Sequence, residues 1–559
     1  MMMNSDEWWK KSVVYQIYPK SFNDTNGDGI GDLNGITEKL DYLQKLGVDV
    51  LWLNPIYESP GIDNGYDISN YYGINPEFGS MDDFERLLSS AHRKGIKIIL
   101  DLVVNHTSSQ HPWFKEAVKS RDNKYHDYYI WKPGRNGGAP NNWGSSFGGS
   151  AWKYVESVGE YYLHLFAEEQ PDLNWENPAV VEEVEKIMDF WLSKGVDGFR
   201  MDVINLISKY PGYKDGPKKK GVQYGDYYDG VANGPHVHEY IKKLNSDVLS
   251  KYDTMTVGET PHTTPNEAAQ YVKSDAHELN MVFQFDHMHL DYGKYGRYSG
   301  NRYNVKDLKR VMTKWQYVLD QNSGWNSLYW SNHDQPRAVS RFGNEKYRVA
   351  SAKCLGVLLH MQKGTPFIYQ GEEIGMVNAK FNDISDYNDV DAKNAYHVLL
   401  SNGESKQEAL KILQMKSRDN ARTPMQWNAS ENSGFTPGKP WLQLNKNYTS
   451  INVDKDLHSK DSVFQFYQQL IRLRHELDVI TVGKYQLIDT DDDIFAFERI
   501  SSTERLVVVG NLSTRKGVFE KHNLEKYTPL LHNYDDVLLN SEGLELRPFE
   551  ALIFYKKIK

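Results

Sequence analysis

The sequence predicts an α/β fold. The core is a (β/α)8 TIM barrel, with a small domain inserted after the third strand and a C-terminal antiparallel β-sandwich. Three observations carry this. Eight short β-branched runs, each ending in polar residues, alternate with helical stretches. That alternation calls for a parallel sheet, and eight units are naturally closed into a barrel. One connection, residues 106–178, is rich in Gly, Asn, Trp and Tyr and far too long for an ordinary loop. After residue 483 the pattern changes to short alternating runs separated by turn residues, which suits a β-sandwich.

Taken in order, the predicted strands are residues 13–18, 48–56, 96–106, 196–205, 255–260, 281–287, 327–334 and 365–373. The helices between them include 35–46, 81–94, 180–194, 234–250, 305–321 and 347–361. The helix before the fourth strand stops at Gly195, as a C-terminal glycine allows. The sandwich strands are residues 485–488, 494–499, 505–510, 544–547 and 551–555. The implied domains are residues 1–105 and 179–482 for the barrel, 106–178 for the insertion and 483–559 for the sandwich.

Composition narrows the function. With 559 residues the chain buries a large core and exceeds one typical domain. A net charge of −10 opposes nucleic-acid binding and anionic membranes. The 37 tyrosines and 14 tryptophans suit a surface that stacks on sugars. Cys354 is the only cysteine, so no internal disulfide forms. Residues 1–11 lack the apolar stretch of a signal peptide, and no apolar run is long enough to cross a bilayer. These features lead us to expect a soluble, cytoplasmic protein, a monomer or weak oligomer without an organic cofactor. The run Lys218-Lys219-Lys220 reads as a solvated loop.

Barrels of this kind carry their chemistry at the C-terminal ends of the strands. The third strand ends in Asp101-Leu102-Val103-Val104-Asn105-His106, and the fourth in Gly198-Phe199-Arg200-Met201-Asp202. The fifth ends in Val257-Gly258-Glu259 and the seventh in Asn332-His333-Asp334. Arg200 and Asp202 share a strand face, and a guanidinium beside a buried carboxylate is expected to lower its pKa and keep it ionised, as a nucleophile requires. A structural salt bridge explains that pair equally well on its own. Carboxylates converging on one rim repel each other, and that convergence points to catalysis.

These four motifs, in this order, resemble those of the α-amylase superfamily, glycoside hydrolase family 13, a family of retaining glycosidases. Gln170-Pro171-Asp172-Leu173-Asn174 is similar to a signature of its oligo-1,6-glucosidase branch. The resemblance implies Asp202 as nucleophile, Glu259 as general acid/base and Asp334 as the third family carboxylate, which holds sugar hydroxyls and favours the distorted ring. It implies that His106 and His333 bond the non-reducing glucose and that Arg200 orients Asp202. It further implies that Asp67 and Arg418 grip the far end of that glucose while Tyr66 stacks on it, enforcing exo action; an ordinary loop ion pair is the bland alternative for Asp67 and Arg418.

Asp24-Thr25-Asn26-Gly27-Asp28-Gly29-Ile30-Gly31-Asp32 alternates oxygen-bearing side chains with glycines, a spacing suited to a hard cation. The resemblance implies structural calcium held by Asp24, Asn26, Asp28, the Ile30 carbonyl and Asp32. A glycine-rich turn with capping aspartates is the alternative. Gly35 stands where an EF-hand has its glutamate, so no EF-hand is present.

Val203 follows the nucleophile, as in branch members that cleave α-1,6 bonds. The expected function is therefore exo-hydrolysis of isomaltose and short isomalto-oligosaccharides. The alternatives are an α-glucosidase of α-1,4 or broad specificity, including sucrose, and a trehalose-6-phosphate hydrolase. His289-Leu290-Asp291-Tyr292-Gly293 departs from the charged loop of sucrose isomerases. Non-catalytic relatives of the superfamily lack the carboxylates and carry a transmembrane helix, unlike this sequence.

Overall fold

A computed structural model describes residues 5–219, 222–520, 524–541 and 543–558 of the chain. Eight parallel strands form one sheet: Val14–Ile17, Val50–Leu53, Lys97–Leu102, Gly198–Met201, Met255–Glu259, Met281–Phe283, Ser327–Leu328 and Thr365–Tyr369. Numbered along the chain, their order is sixth, fifth, fourth, third, second, first, eighth, seventh, with helices in the connections. This is the expected (β/α)8 barrel. Each strand is shorter than its hydrophobic run predicts, because the polar residues at its end turn out of the ladder. The fourth, predicted over 196–205, ends at Met201 and is followed by a short 3-10 turn, Ile204–Leu206.

The chain divides into two compact units, Trp52–Ser89 with Lys97–Phe285, and Met1–Leu51 with Ser90–Ile96 and Asp286–Lys559. In the first of these, the fourth strand runs between the third and fifth, and Arg200 stands opposite both Asp101 and Val257. The helix that feeds it, Pro178–Ser193, starts on an Asn177 cap with proline at its first turn and buries Val180, Val184, Ile187, Met188 and Trp191. Gly195, with φ of 99°, supplies the left-handed turn at its end. The insertion carries a helix, Pro112–Ala117, and an antiparallel sheet of Trp131–Lys132, Glu160–Leu163 and Trp152–Val155. Its core joins Trp143, Trp152, Leu163 and Leu165 to Val203 and Leu206, which follow the fourth strand. The insertion therefore packs directly on the turn after Asp202.

In the other unit, the predicted helix at 35–46 is broken at Lys39 into Leu33–Glu38 and Leu40–Leu46. The helix Arg348–His360 is buried on every side from Ser351 onward, packed between the helix Val463–Glu476 and the C-terminal sheet. Two further helices, Val390–Ser401 and Lys406–Lys416, pair around Tyr396, Leu399, Ala409 and Leu413. The C-terminal part holds a five-stranded antiparallel sheet, Lys484–Ile488, Ile494–Ile500, Glu504–Asn511, Ala551–Lys557 and Thr528–His532 in that spatial order. A second sheet of Gly517–Glu520, Gly543–Leu546 and Leu538–Leu539 shares a core with it, formed by Ile494, Val507, Val509, Phe519, Leu544 and Phe554. That is the expected sandwich. Among the described residues no helix is long and apolar enough to cross a membrane.

Candidate active site

One guanidinium organises the ends of the third, fourth and fifth strands. Arg200 Nη1 lies 2.5 Å from Asp101 Oδ1 and 2.6 Å from Asp202 Oδ1, and its Nη2 lies 2.5 Å from Glu259 Oε2. The guanidinium carbon lies over the rings of Trp52 and Tyr66, 5.2 and 5.7 Å from their centroids. All four charged residues are buried. Asp101 is fixed from its other side by Trp52 Nε1 at 2.9 Å and Tyr66 Oη at 3.1 Å. Asn54 in turn donates to Tyr66 Oη at 2.6 Å.

Arg200 lowers the pKa of Asp202, as expected, but the net shift is upward. Burial pushes Asp202 up to about 6, and neither the Arg200 cation nor a hydrogen bond with Glu259 fully offsets it; Asp101 adds to the rise. Asp101 is likewise pushed up to about 6 by burial against the pull of Arg200. Burial is the larger effect, and one positive charge divided among three carboxylates does not outweigh it. Retaining glycoside cleavage needs one carboxylate ionised and a second protonated, and with a pKa of about 6 Asp202 is mostly ionised at neutral pH.

Val203, immediately after Asp202, has φ 33° and ψ 40°. A buried β-branched residue in the left-handed region is a genuine outlier, costing about 1–3 kcal/mol. In this conformation its N–H donates to Glu259 Oε2 at 3.2 Å, tying the turn after the fourth strand to the end of the fifth. Beside this cluster, His106 is buried and donates from Nε2 to the Tyr66 carbonyl at 3.1 Å. Burial lowers its pKa to about 4, so the ring is neutral at physiological pH. Asn105 donates to Asp172 at 3.1 Å, and buried Lys209 bridges Asn105 Oδ1 at 2.7 Å and Asp172 Oδ2 at 2.8 Å. The Gln170–Asn174 signature is thus the strap that anchors the third strand's end. Asp67 is fully buried and accepts from Ile62 N, Asp63 N and Ser59 Oγ at 2.9–3.0 Å. Burial raises its pKa.

In the other unit, His333 and Asp334 follow the seventh strand. His333 Nδ1 is 2.8 Å from Gln16 Nε2, its Nε2 is 3.4 Å from Asp334 Oδ2, and its ring stacks on Tyr18. Asp334 Oδ1 accepts from Arg422 at 2.8 Å and Arg418 at 3.2 Å. Burial alone raises its pKa, but His333, Arg418, Arg422 and Arg297 together hold it far below the usual carboxylate range. Asp334 is therefore ionised at any working pH. Arg418 is gripped in a fork by Asp389, Nε at 3.0 Å and Nη2 at 2.6 Å.

The loop at residues 24–32 is held by its own amides. Asp24 accepts from Asn26 N, Gly27 N, Gly29 N and the Thr436 hydroxyl, and Asp32 accepts from Thr25 N, Thr25 Oγ1 and Gly35 N. Asn26 and Asp28 each accept one amide, from Asp28 and Ile30. Among the described residues no three His, Cys, Asp or Glu side chains stand close enough to hold a metal ion. As placed, Asp24 and Asp32 spend their lone pairs on hydrogen bonds, and the set does not form a ready cation cage. Lys218 and Lys219 are exposed, while Lys220 lies outside the described residues.

The comparison with known proteins bears on this geometry. Residues 16–483 match the family described as Alpha-amylase: Alpha amylase, catalytic domain. The chain belongs to the α-amylase family. It is 55% identical to an oligo-1,6-glucosidase of Parageobacillus thermoglucosidasius over 98% of both chains. It is 49% identical to a trehalose-6-phosphate hydrolase of Bacillus subtilis over 99% of both. A solved trehalose-6-phosphate hydrolase from Bacillus licheniformis superimposes with a TM-score of 0.92 at 48% identity, covering 99% of this chain and all of that one.

Several residues of these networks escaped the sequence reading. Asp101 sits inside a quoted motif, but nothing in its spacing says that it shares Arg200. Asp389 lies in a stretch, Asp386-Tyr387-Asn388-Asp389, without a barrel strand to locate it. Trp52, Asn54, Lys209 and Arg422 carry no pattern of their own and are recognisable only once the fold brings them to their partners.

Proposed function

We propose that this α-amylase family member is a retaining, exo-acting α-glucosidase that hydrolyses the terminal α-1,6-linked glucose of isomaltose and short isomalto-oligosaccharides. The observation that carries the reading is the Arg200-centred trio of Asp101, Asp202 and Glu259, in a chain more than half identical to an oligo-1,6-glucosidase. In the proposed mechanism the Asp202 carboxylate attacks the anomeric carbon as Glu259 gives its proton to the departing glycosidic oxygen. The glycosyl–Asp202 ester forms and the C–O bond to the leaving sugar breaks. Glu259, now a carboxylate, takes a proton from water, whose oxygen displaces Asp202 and restores the original configuration. Neutral His106, together with His333 and ionised Asp334, bonds the hydroxyls of the reacting glucose, Tyr66 stacks on it, and Asp67 and Arg418 hold its far end. Val203 restricts how the second sugar enters.

A second reading, trehalose-6-phosphate hydrolase, is favoured by relatives of that name at 48–49% identity over almost the whole chain. One preparation assayed on isomaltose, maltose, sucrose, trehalose and trehalose 6-phosphate separates them. Fastest turnover of isomaltose is expected; fastest turnover of the phosphorylated disaccharide transfers the assignment to the second reading, and of maltose to an α-1,4 enzyme.

We also propose calcium at residues 24–32. It is supported by the oxygen-only side chains at alternate positions and opposed by the amide bonds already on Asp24 and Asp32. We also propose a cytoplasmic enzyme, monomeric or weakly oligomeric; the single, buried Cys354 suits a reducing compartment. Sedimentation velocity measures the oligomeric state.

A further inference from the structure

A cavity of about 330 Å³ is lined by the segment around Asp291, Asn301 and Arg302, by Ser340 and Arg341, and by the end of the helix Lys406–Lys416. Its charge runs against that of the molecule. The chain carries −10 overall, yet this cavity is lined by Arg302, Arg341, Lys380, Lys411 and Lys416 against only Asp291 and Glu345.

The buried part of the lining is where the imbalance matters. Asp291, Arg341 and Lys416 are all more than nine-tenths buried. Asp291 accepts from Arg341 Nη2 at 2.7 Å and Nε at 3.0 Å, and from Lys416 Nζ at 2.5 Å. One carboxylate between two cations leaves a surplus positive charge away from water, an arrangement that costs stability unless an anion completes it. Arg341 spends its remaining N–H groups on Gln335 Oε1, Met288 Sδ and the Met288 carbonyl. Lys416 gives one N–H to Asp291 and keeps two for a ligand.

The rim adds to this. Glu345 is already engaged by Lys380 and by Ser340 Oγ at 2.8 Å. Lys411 is 3.5 Å from Glu408, an exposed and therefore weak pair. Arg302 makes no ion pair among the described residues. An ammonium on the floor and an ammonium and a guanidinium at the rim suit a multidentate oxyanion, and the volume admits a hexose attached to it.

We propose that this cavity is a binding site for a phosphate monoester of a small sugar, held by Lys416, Lys411 and Arg302. Neither Asp202 nor Glu259 lines the cavity, and the proposal does not depend on the α-glucosidase reading.

The test is titration calorimetry on the full chain at constant ionic strength, with glucose 6-phosphate, inorganic phosphate and glucose as ligands. It is repeated on the Arg302→Ala/Lys411→Ala double variant, whose altered side chains are exposed, and on Lys416→Gln. Saturable heat with glucose 6-phosphate, none with glucose, and affinity at least tenfold weaker in both variants are expected. Aryl α-glucoside hydrolysis by the double variant should stay at the wild-type rate. Equal affinity for inorganic phosphate assigns the site to the phosphate group alone and upholds its chemistry. No saturable binding of either phosphate, or binding unchanged in the double variant, overturns the proposal.

Discussion

Asp202 and Glu259 meet the same guanidinium but should fail differently when changed. Asp202→Ala removes the atom that would form the covalent intermediate, and Glu259→Gln keeps the shape but loses the transferable proton. Each is expected to lower kcat by about 10³-fold or more while circular dichroism stays unchanged. For Glu259→Gln, an aryl glucoside with a good leaving group should recover the first step, detectable as a burst of phenol; near-normal turnover by Asp202→Ala would remove the nucleophile assignment. Val203 is a sharper case because its backbone, as well as its side chain, is specified. Val203→Ala eases the crowding of a β-branched residue at φ 33° while withdrawing two methyl groups from the path proposed for the second sugar. Maltose hydrolysis should then rise about tenfold or more relative to isomaltose, since a methyl-sized change in a pocket is worth about 1–3 kcal/mol. An unchanged ratio with the fold intact would strip Val203 of its role.

At the scale of elements, the loop at residues 24–32 is tested by metal removal. If a cation holds it, chelator should lower the melting temperature with little change in the initial rate, because binding to the native state alone stabilises by mass action. No shift, with no metal found by elemental analysis, identifies the loop as a turn fastened by Asp24 and Asp32. The contrast with the strands is instructive. All eight strands were legible, because β-branched runs between helical stretches have few other uses. Their C-terminal limits were not, since a run such as Val196 to Asn205 is continuous in hydrophobicity while its backbone turns after Met201. The helix Arg348–His360 is legible in the sequence even though its buried side chains leave it no polar face, whereas Val390–Ser401 and Lys406–Lys416 are not, because they lie outside the strand–helix alternation. Site residues divide in the same way. Those at strand ends could be located, and Asp389 and Lys209, supplied by connecting segments, could not. Pairing failed more than location: Arg200 beside Asp202 was foreseen, and Arg200 among three carboxylates was not.

For the whole molecule, activity and stability should respond to pH in opposite directions. The proposed mechanism needs Asp202 ionised, and its pKa lies near 6, so kcat/KM is expected to fall as pH drops through that value. Glu372, buried after the eighth strand and bonded to Ser331 and Tyr467, is pushed up to about 8 by burial. Its folded pKa exceeds that of the unfolded chain, so its penalty is absent below about pH 4.5 and grows as pH rises towards 8. Glu372→Gln should therefore raise the melting temperature at pH 8 and leave it nearly unchanged at pH 4.5, a difference readable by scanning calorimetry. Equal shifts at both values would mean that the gain is one of packing and not of ionisation.

The single guanidinium among Asp101, Asp202 and Glu259 can also be viewed from the ligand's side. A pocket whose fixed charges sum to less than zero attracts whatever brings the missing cation. A glucoside at rest is neutral and gains little; the same ring with positive charge spread over its anomeric carbon and ring oxygen gains most. The shortage of protein cations is thus a form of selectivity for an electronic state over a molecular shape. An imino sugar whose ring nitrogen is protonated should outbind the neutral lactam of the same outline, in inhibition assays, by about tenfold or more at pH 7. That advantage should disappear as the nitrogen loses its proton.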